Sequence, residues 1–352
     1  MKADFIKYQL DFKFPAGTSR GVMRKRDVWF LKITNNGIEG IGEVAPLPGL
    51  SSESNLEVES TLKHLASLLN GSQTLQTDEV REALQLKNYP SIIFGLETAL
   101  QDLALNGRRI IFENTFTSGN YRIPINGLIW MGTTTFLKEQ IDAKVKEGYK
   151  CIKLKIGSLD FEKELSVIEY LRSKYPEEII VRVDANGAFS LEEVYEKLEL
   201  LRPLRIHSIE QPLAKGHKEA LQKLCKDTPV PIALDEELIG VNDFKEKQEL
   251  LNFIKPQYII LKPSLLGGFA SCKEWISLAE ELNIGWWITS ALESNIGLNA
   301  IGQFAAQLGT TDFQGLGTGK LYHNNLSSPL VISNGNLWYD PQAEWDLNNL
   351  RL

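Results

Sequence analysis

The sequence repeats one unit, a buried strand followed by a helix, from about residue 121 onward. Eight apolar runs follow one another there, and helical stretches separate most of them. Six of the runs contain a polar residue at a regular spacing of 29, 26, 25, 27 and 28 residues: Lys155, Asp184, Glu210, Asp235, Lys262 and Ser290. This spacing suits one strand–helix unit, and eight units make a (β/α)8 barrel of about 200–250 residues. The repeat therefore predicts an α/β barrel over residues 121–329.

A doubly wound open sheet is the alternative, because it is built from the same strand–helix unit. Such a sheet is expected to carry a glycine-rich phosphate loop after its first strand, and the sequence has none at that place. The barrel is therefore the favoured architecture.

The N-terminal region begins with strand patterns. Residues 6–14 alternate between apolar and polar side chains, which predicts a strand with one buried face. A second strand is predicted over residues 28–33, and it ends at the turn signal Asn-Asn-Gly of residues 35–37. The residues that follow, up to position 44, are expected to form its hairpin partner.

A helix follows these strands instead of alternating with them. Apolar positions in residues 91–106 repeat with a helical period, and Gly107 is a typical stop signal. Strands first and helices after predict an α+β capping domain over residues 1–120. The closing stretch, residues 330–352, has strand and tryptophan signals of its own, and we expect it to join this domain.

Composition narrows the class of protein. The net charge of −7 argues against a nucleic-acid or anionic-membrane partner, and no apolar run approaches the ~18 residues of a membrane span. The charged start of the chain is unlike a secretion signal. An odd number of cysteines without a CxxC pair favours the reducing cytoplasm: Cys151, Cys225 and Cys272. The oligomeric state is not predicted.

Three carboxylates, Asp184, Glu210 and Asp235, lie on three successive predicted strands. Catalytic residues of such barrels lie at the C-terminal strand ends, so these side chains are expected to converge. Taken singly, the first could belong to an Asx turn and the third to a helix N-terminus. Converging carboxylates repel unless a cation joins them, and all-oxygen ligation favours Mg²⁺, with Mn²⁺ second. Asn186 and Glu236 are expected just outside these ligands.

Three lysines complete the pattern. Lys153 and Lys155 are two residues apart on one strand and point to the same face, and Lys262 ends a strand across the barrel. Solvated edge-strand lysines are the alternative, which the apolar neighbours disfavour. A lysine acts as a base only when its pKa is lowered by roughly three units from ~10.4. A neighbouring ammonium and a divalent cation both act in that direction, so we predict a lysine base facing a second lysine.

This arrangement resembles the enolase superfamily over nearly the whole chain. That family has a Lys-x-Lys on barrel strand two, metal carboxylates on strands three to five and a lysine on strand six. The matching segments are residues 153–157, 183–189, 209–213, 233–238, 260–268 and 290–298. No histidine ends strand seven, so the chain looks like the muconate-lactonizing subgroup. The resemblance implies proton abstraction α to a carboxylate, with a divalent ion and no organic cofactor.

Residues 42–54 are similar to the capping-domain loop of o-succinylbenzoate synthases. In that family this loop and the one at residues 18–27 close over the substrate. The resemblance implies syn-dehydration of 2-succinyl-6-hydroxy-2,4-cyclohexadiene-1-carboxylate to 2-succinylbenzoate, a step of menaquinone synthesis. It also implies that Lys155 removes the proton and then protonates the departing hydroxide. Lys262 would stabilise the enediolate, and Lys153 would lower the pKa of the base.

The succinyl arm of this dicarboxylate substrate needs partners of its own. Arg182 lies two residues before Asp184 and therefore shares its inward face, and Ser290 ends strand seven. Arg20, in the N-terminal loop, is expected to arrive when the loop closes, although a solvated loop arginine is the alternative.

Other activities of the same superfamily remain open. N-succinylamino acid racemase shares all the catalytic residues, and muconate cycloisomerase is a further relative. Dipeptide epimerases carry Asp-x-Asp after strand eight, where residues 315–319 contain no acid. A non-catalytic, metal- or carboxylate-binding barrel would be expected to have lost a lysine or a ligand.

Overall fold

The N-terminal region is a three-stranded antiparallel sheet covered by helices. The computed structural model describes residues 1–18, 21–70, 80, 82, 84–157, 160–175, 178–348 and 350. The sheet has the order β1-β2-β3, with β1 at Lys2–Thr18, β2 at Gly21–Asn35 and β3 at Ile38–Val44. Helices α1, Asn55–Leu69, and α2, Pro90–Ala104, follow the sheet. The predicted order of strands before helices is confirmed.

The first two strands are longer than the alternating patterns predicted. Residues 21–27, which the sequence assigned to a loop, continue β2 and pair with β1 beyond a register shift, for example Ala16 with Met23. Backbone hydrogen bonds between β1 and β2 continue beyond the apolar residues, so β2 is longer than its hydrophobic pattern. The turn between β2 and β3 is where it was expected, and Asn36 and Gly37 have φ values of 50° and 80°.

Helix α2 lies directly against β3 because glycines allow the two backbones to meet. A Cβ atom at Gly42 would be 1.8 Å from the carbonyl oxygen of Gly95 and 2.9 Å from the backbone nitrogen of Ala99. Any side chain at Gly42 would therefore separate the helix from the sheet. This contact orients β3 and the segment after it, which leads toward the barrel.

The second region is a parallel barrel. Within the described residues its sheet holds seven strands in chain order: β5 Gly127–Ile129, β6 Cys151–Lys155, β7 Ile180–Asp184, β8 Ser208–Glu210, β9 Ile232–Leu234, β10 Tyr258–Leu261 and β11 Gly285–Ile288. The α-helices around it are α3 Thr134–Lys146, α4 Phe161–Lys174, α5 Val194–Leu201, α6 Lys218–Lys226, α7 Phe244–Ile254, α8 Pro263–Leu266, α9 Gly268–Glu281 and α10 Asn295–Gln307. Short 3₁₀ turns occur at Leu86–Asn88, Arg202–Leu204, Glu236–Leu238 and Gly317–Lys320.

Gln314 and Gly315 occupy the eighth position of the barrel. The backbone nitrogen of Asn126 donates to Gln314 O at 3.0 Å, and that of Ser290 donates to Gly315 O at 3.0 Å. This two-residue segment therefore bonds to both edges of the seven-stranded sheet and closes the ring. The predicted barrel architecture is confirmed, with its last strand reduced to bridges.

The C-terminal segment forms a hairpin at the barrel. Strands β12, Leu330–Ser333, and β13, Asn336–Tyr339, pair with the short strand β4, Ile123–Pro124. Leu337 belongs to the large barrel core, whereas Leu350 lies in a cluster with residues of β1. The closing stretch thus contacts both regions, and the domain boundaries at residues 120 and 330 stay a prediction.

Two carboxylates of the N-terminal region contact helix N-termini of the barrel. Glu43 on β3 accepts hydrogen bonds from the backbone nitrogens of Ser294 and Gly297, both at 2.8 Å, where α10 begins. Glu97 on α2 accepts one from the backbone nitrogen of Phe269 at the start of α9. Negative charge is stabilised at a helix N-terminus, so these contacts attach the N-terminal region to the rim of the barrel.

No helix in the described part of the chain is both long and apolar enough to cross a lipid bilayer.

Candidate active site

Three carboxylates converge at the C-terminal ends of adjacent barrel strands, as the sequence predicted. Asp184 ends β7 and is paired in register with Glu210, which ends β8. Asp235 follows β9 directly, two residues after Ala233, the register partner of Glu210. All three side chains are buried, with at most 2% of each residue exposed. Consecutive parallel strands thus carry their acids to one rim of the barrel.

Lys153 and Lys155 reach these acids from the neighbouring strand β6. The Nζ atom of Lys153 lies 3.0 Å from Asp184 Oδ2 and also contacts Glu210. Lys155 Nζ lies 2.9 Å from Asp184 Oδ2 and donates to Asn186 Oδ1 at 2.6 Å. Both lysines therefore point inward from the same face of β6.

Lys262 approaches from the other side of the ring. It follows β10, four strand positions from β6 in the eight-membered barrel, and is therefore opposite Lys155. Its Nζ atom contacts Asp235 and lies 3.8 Å from Glu210 Oε1. Lysines from opposite walls thus enclose the acids.

Burial and ion pairing decide the charges in this cluster. Burial alone would lower the pKa of Lys153 and of Lys262, but the acids around each lysine outweigh it and raise both values. Burial would raise the pKa of Asp184, but the nearby lysines hold it low. Burial and the charge of Asp184 raise the pKa of Glu210 to about 8. For Lys153 and Lys262 this is opposite to the shift that a lysine base requires.

The carboxylate oxygens of the three acids suit a divalent cation, although in this structure they contact the lysine ammonium groups. Among the described residues, no three His, Cys, Asp or Glu side chains are grouped as a metal site. The three acids instead surround lysine ammonium groups, so positive charge is what this position stabilises. No hydrogen bond from the described residues reaches the buried Glu210 Oε1. An all-oxygen set with one unsatisfied acceptor suits Mg²⁺ or Mn²⁺.

A second layer of polar side chains supports these acids. Asn186 donates from Nδ2 to Glu236 Oε1 at 3.0 Å and so links the ends of two strands, and both residues lie beside the cluster as predicted from sequence. The sequence reasoning missed Gln211, which is fully buried. Its Oε1 accepts from the backbone nitrogens of Asp235 and Glu237 at 3.2 and 3.3 Å. The sequence feature that could have indicated Gln211 is its position directly after Glu210, the acid that ends β8.

The three residues expected to bind substrate have different outcomes. Ser290 lines the cavity and accepts a hydrogen bond from Thr318 Oγ1 at 2.8 Å. Arg182 has the expected inward direction but lies lower in the barrel, with its guanidinium 3.8 Å from the ring centroid of Trp287. It donates to Phe313 O at 2.8 Å and does not line the cavity, which leaves its predicted role in binding without support. Arg20 lies outside the described residues.

A cavity of about 540 Å³ opens above the lysines and Asp184. This volume is typical of small-molecule sites. Its outer wall comes from β1, β2 and the segment after β3: Phe14, Val22, Met23, Leu47, Pro48 and Leu50. The barrel adds Trp130, whose backbone nitrogen donates to Gln140 Oε1 at 3.0 Å and whose carbonyl oxygen accepts from Gln140 Nε2 at 2.9 Å. The wall is apolar, while the floor is charged.

Comparison with known families divides the chain in two. Residues 137–342 match the family model described as "Enolase C-terminal domain-like", and residues 1–103 match that described as "MenC, N-terminal domain". Enolase superfamily members generally use a divalent metal ion.

Individual proteins agree with these models. The o-succinylbenzoate synthase of Desulfotalea psychrophila is 43% identical, over 95% of this chain and 98% of its own. The crystal structure of MenC from the same organism has a TM-score of 0.87 at 40% identity, covering 96% of this chain and 99% of that one. The N-succinylamino acid racemase of Thermus thermophilus is 30% identical, over 82% and 78% of the two chains. The predicted resemblance is confirmed: this chain belongs to the o-succinylbenzoate synthase family of the enolase superfamily.

Proposed function

We propose that this chain is a hydro-lyase that converts 2-succinyl-6-hydroxy-2,4-cyclohexadiene-1-carboxylate to 2-succinylbenzoate in menaquinone synthesis. The observation that carries the proposal is the pair of lysines on opposite walls of one cavity, with Lys155 and Lys262 both exposed to its interior. The 43% identity to an o-succinylbenzoate synthase supports this substrate. The three cysteines are buried and free, which supports a reducing cytoplasmic location.

Lys155 is the proposed base. In its neutral form its amine takes the proton from the carbon bearing the carboxylate, and the electron pair of that C–H bond moves into an enediolate. The hydroxyl group then leaves from the neighbouring carbon, and the ammonium of Lys155 returns the proton to it. One water molecule is lost and the ring becomes aromatic. A syn elimination needs only this one group, because both bonds break on the same side of the ring.

Lys262 is proposed to stabilise the negative charge of the enediolate from the opposite wall. Its ammonium is held in place by Asp235, so it is oriented before the charge develops. Lys153 is held between Asp184 and Glu210, and the raised pKa of this lysine keeps its positive charge close to Lys155.

Asp184, Glu210 and Asp235 are the residues proposed to hold Mg²⁺, with Mn²⁺ as second choice. When bound, this ion would supply a Lewis acid for the substrate carboxylate and a positive charge among the three acids. Asn186 and Gln211 would keep the strand ends in place, since Asn186 bonds to Lys155 and Glu236 and Gln211 bonds to the backbone nitrogens of Asp235 and Glu237.

An ultraviolet assay for the aromatic product tests the proposal. The purified protein with Mg²⁺ and the dicarboxylate substrate should produce 2-succinylbenzoate at a rate that scales with protein concentration. Absence of product with folded, Mg²⁺-supplied protein would contradict the proposed activity. A heat-denatured sample is the control, because the substrate can aromatise without a catalyst.

N-succinylamino acid racemization is the second candidate, favoured by the 30% identity to a racemase. The same lysines on opposite walls could exchange an α-proton on either face of an amino acid. Polarimetry with a resolved N-succinyl amino acid distinguishes the two activities, since only racemization removes the optical rotation. Comparison of kcat/KM for the two substrates shows which activity dominates.

A further inference from the structure

The turn after β11 forms part of the cavity wall and has an unfavourable backbone. Ser290, Ala291 and Leu292 all line the cavity. Leu292 has a φ of 68°, in the left-handed region that leucine rarely adopts because its Cβ approaches the following carbonyl oxygen. Such a conformation persists only where surrounding contacts impose it.

Two side chains impose this conformation by bonding to successive carbonyl groups. Arg26 donates from Nη1 to Ala291 O, and Tyr322 donates from its hydroxyl to Leu292 O at 2.5 Å. Arg26 and Tyr322 are each 2% exposed, so water does not compete for these acceptors. With both carbonyls bound, the peptide between Ala291 and Leu292 cannot rotate to a relaxed position.

The same arginine also reaches the N-terminal region. Its Nη2 atom donates to Ala45 O at 2.5 Å and lies 3.4 Å from Pro46 O. The chain continues from there into Leu47 and Pro48, which line the cavity from the other side. One guanidinium group therefore joins the two walls, and its planar fork of donors suits carbonyls that lie in different directions.

We propose that Arg26 and Tyr322 are positioning residues for the reaction. They hold the strained turn of residues 290–292, and Arg26 also fixes the position of residues 45–48 relative to this turn. The inference rests on the proposed function, because it concerns affinity for that substrate. Neither side chain lines the cavity, so each acts through Ser290, Leu292 and the opposite wall. These walls contact the substrate before and during the reaction, and loss of their alignment weakens binding at both stages.

The test compares Arg26→Met and Tyr322→Phe with a matched control, Arg172→Met. Arg172 also donates to three backbone carbonyls, those of Leu204, Ile179 and Arg205, each at 2.7 Å, but it lies away from the cavity. Each variant is assayed with Mg²⁺ well below its melting temperature. The dissociation constant of 2-succinylbenzoate is measured by calorimetry in parallel.

We expect KM and the product dissociation constant to rise about tenfold in Arg26→Met and about threefold in Tyr322→Phe, with kcat changed less than about threefold. Arg26→Lys should recover part of the loss, because an ammonium group reaches one carbonyl but not both walls. Arg172→Met should lower the melting temperature while leaving KM unchanged.

Unchanged KM and product affinity in folded Arg26→Met and Tyr322→Phe would overturn the positioning role. The same KM change in Arg172→Met would also overturn it, because the effect would then be one of general stability. Failure of the proposed function is recognised separately, since the wild type would then show neither turnover nor binding of 2-succinylbenzoate. If Arg26→Met does not fold, the milder Tyr322→Phe decides the question.

Discussion

Lys155 and Asp184 are register partners on adjacent strands, and their side chains meet 2.9 Å apart at the cavity floor. The proposed base therefore contacts a proposed metal ligand. A divalent cation held by Asp184 would compete with Lys155 for this carboxylate, so metal binding and the position of the base are expected to be coupled.

Replacing Lys155 tests its role as the base. Lys155→Ala should remove essentially all turnover, and Lys155→Arg should fail as badly, because a guanidinium stays protonated and cannot accept the proton. The discriminating measurement is deuterium incorporation into the α-position of an N-succinyl amino acid in D₂O. Circular dichroism should match the wild type in both variants, and Mg²⁺ binding should stay intact in Lys155→Arg, which keeps the positive charge. Undiminished exchange in Lys155→Arg would show that another residue is the base, with Lys262 examined first.

Removing Lys262 should slow the chemical step more than it weakens binding. Lys262→Ala leaves the enediolate without its second cation, and a loss of several kcal/mol corresponds to roughly a thousandfold or greater decrease in kcat. Steady-state kinetics measures the split between kcat and KM. Lys215→Ala is the control, because Lys215 also lies after a barrel strand but bonds to Ile239 O outside the cavity. A variant with near-normal kcat would exclude Lys262 from the reaction.

Chelation tests the proposed metal site. Exhaustive removal of divalent ions should abolish turnover, and Mg²⁺ or Mn²⁺ should restore it, because the three converging acids are the residues proposed to hold the ion. Glu210→Gln should weaken Mg²⁺ binding, measured as a smaller rise in melting temperature on Mg²⁺ addition. Asp160→Asn, a change at the N-cap of α4, is the matched control. Full activity after chelation would contradict the assignment.

His207 predicts a pH-dependent loss of stability. Burial and the nearby charge of Arg182 lower its pKa from 6.5 to about 4. Below pH 6.5 the unfolded chain takes up a proton that the folded protein does not, so stability is complete above pH 6.5 and falls as pH falls toward 4. His207→Phe should remove this component, of the order of 2 kcal/mol after allowance for partial exposure. Urea unfolding at pH 7 and pH 4.5 measures it, and parallel losses in both proteins would contradict the prediction.

Gly42→Ala should destabilise the N-terminal region. The new methyl group would overlap the carbonyl oxygen of Gly95, and separation of α2 from β3 is expected to cost at least about 2 kcal/mol. The control is Gly302→Ala in α10, where the nearest atom is the flexible side-chain end of Leu337 at 3.2 Å. This change should stay within about 1 kcal/mol of the wild type, because alanine favours the helix. Equal free energies of unfolding for the two variants would refute the close-contact argument.

Local sequence patterns are enough to predict the barrel and the residues at its rim. Strand and helix periods are local properties, and parallel strands all end at the same rim, so Asp184, Glu210 and Asp235 could be placed together from their spacing alone. The inward direction of Lys153 and Lys155 followed from the alternation of side chains along one strand. None of these features depends on contacts between distant parts of the chain.

Features that depend on packing between distant parts of the chain appear only in the folded protein. Arg182 and Asp184 share the inward face of β7. Asp184 lines the cavity, whereas Arg182 lies deeper in the barrel, where its guanidinium packs on the ring of Trp287. Gln314 and Gly315, which close the barrel, are too few to show the periodic pattern of a strand. Their position is set by bonds to both edges of the sheet. Arg26 meets a carbonyl 265 positions away, and the lysine charges depend on how deeply the acids are buried. Contact and burial arise only when the chain has folded, which is why local patterns do not contain them.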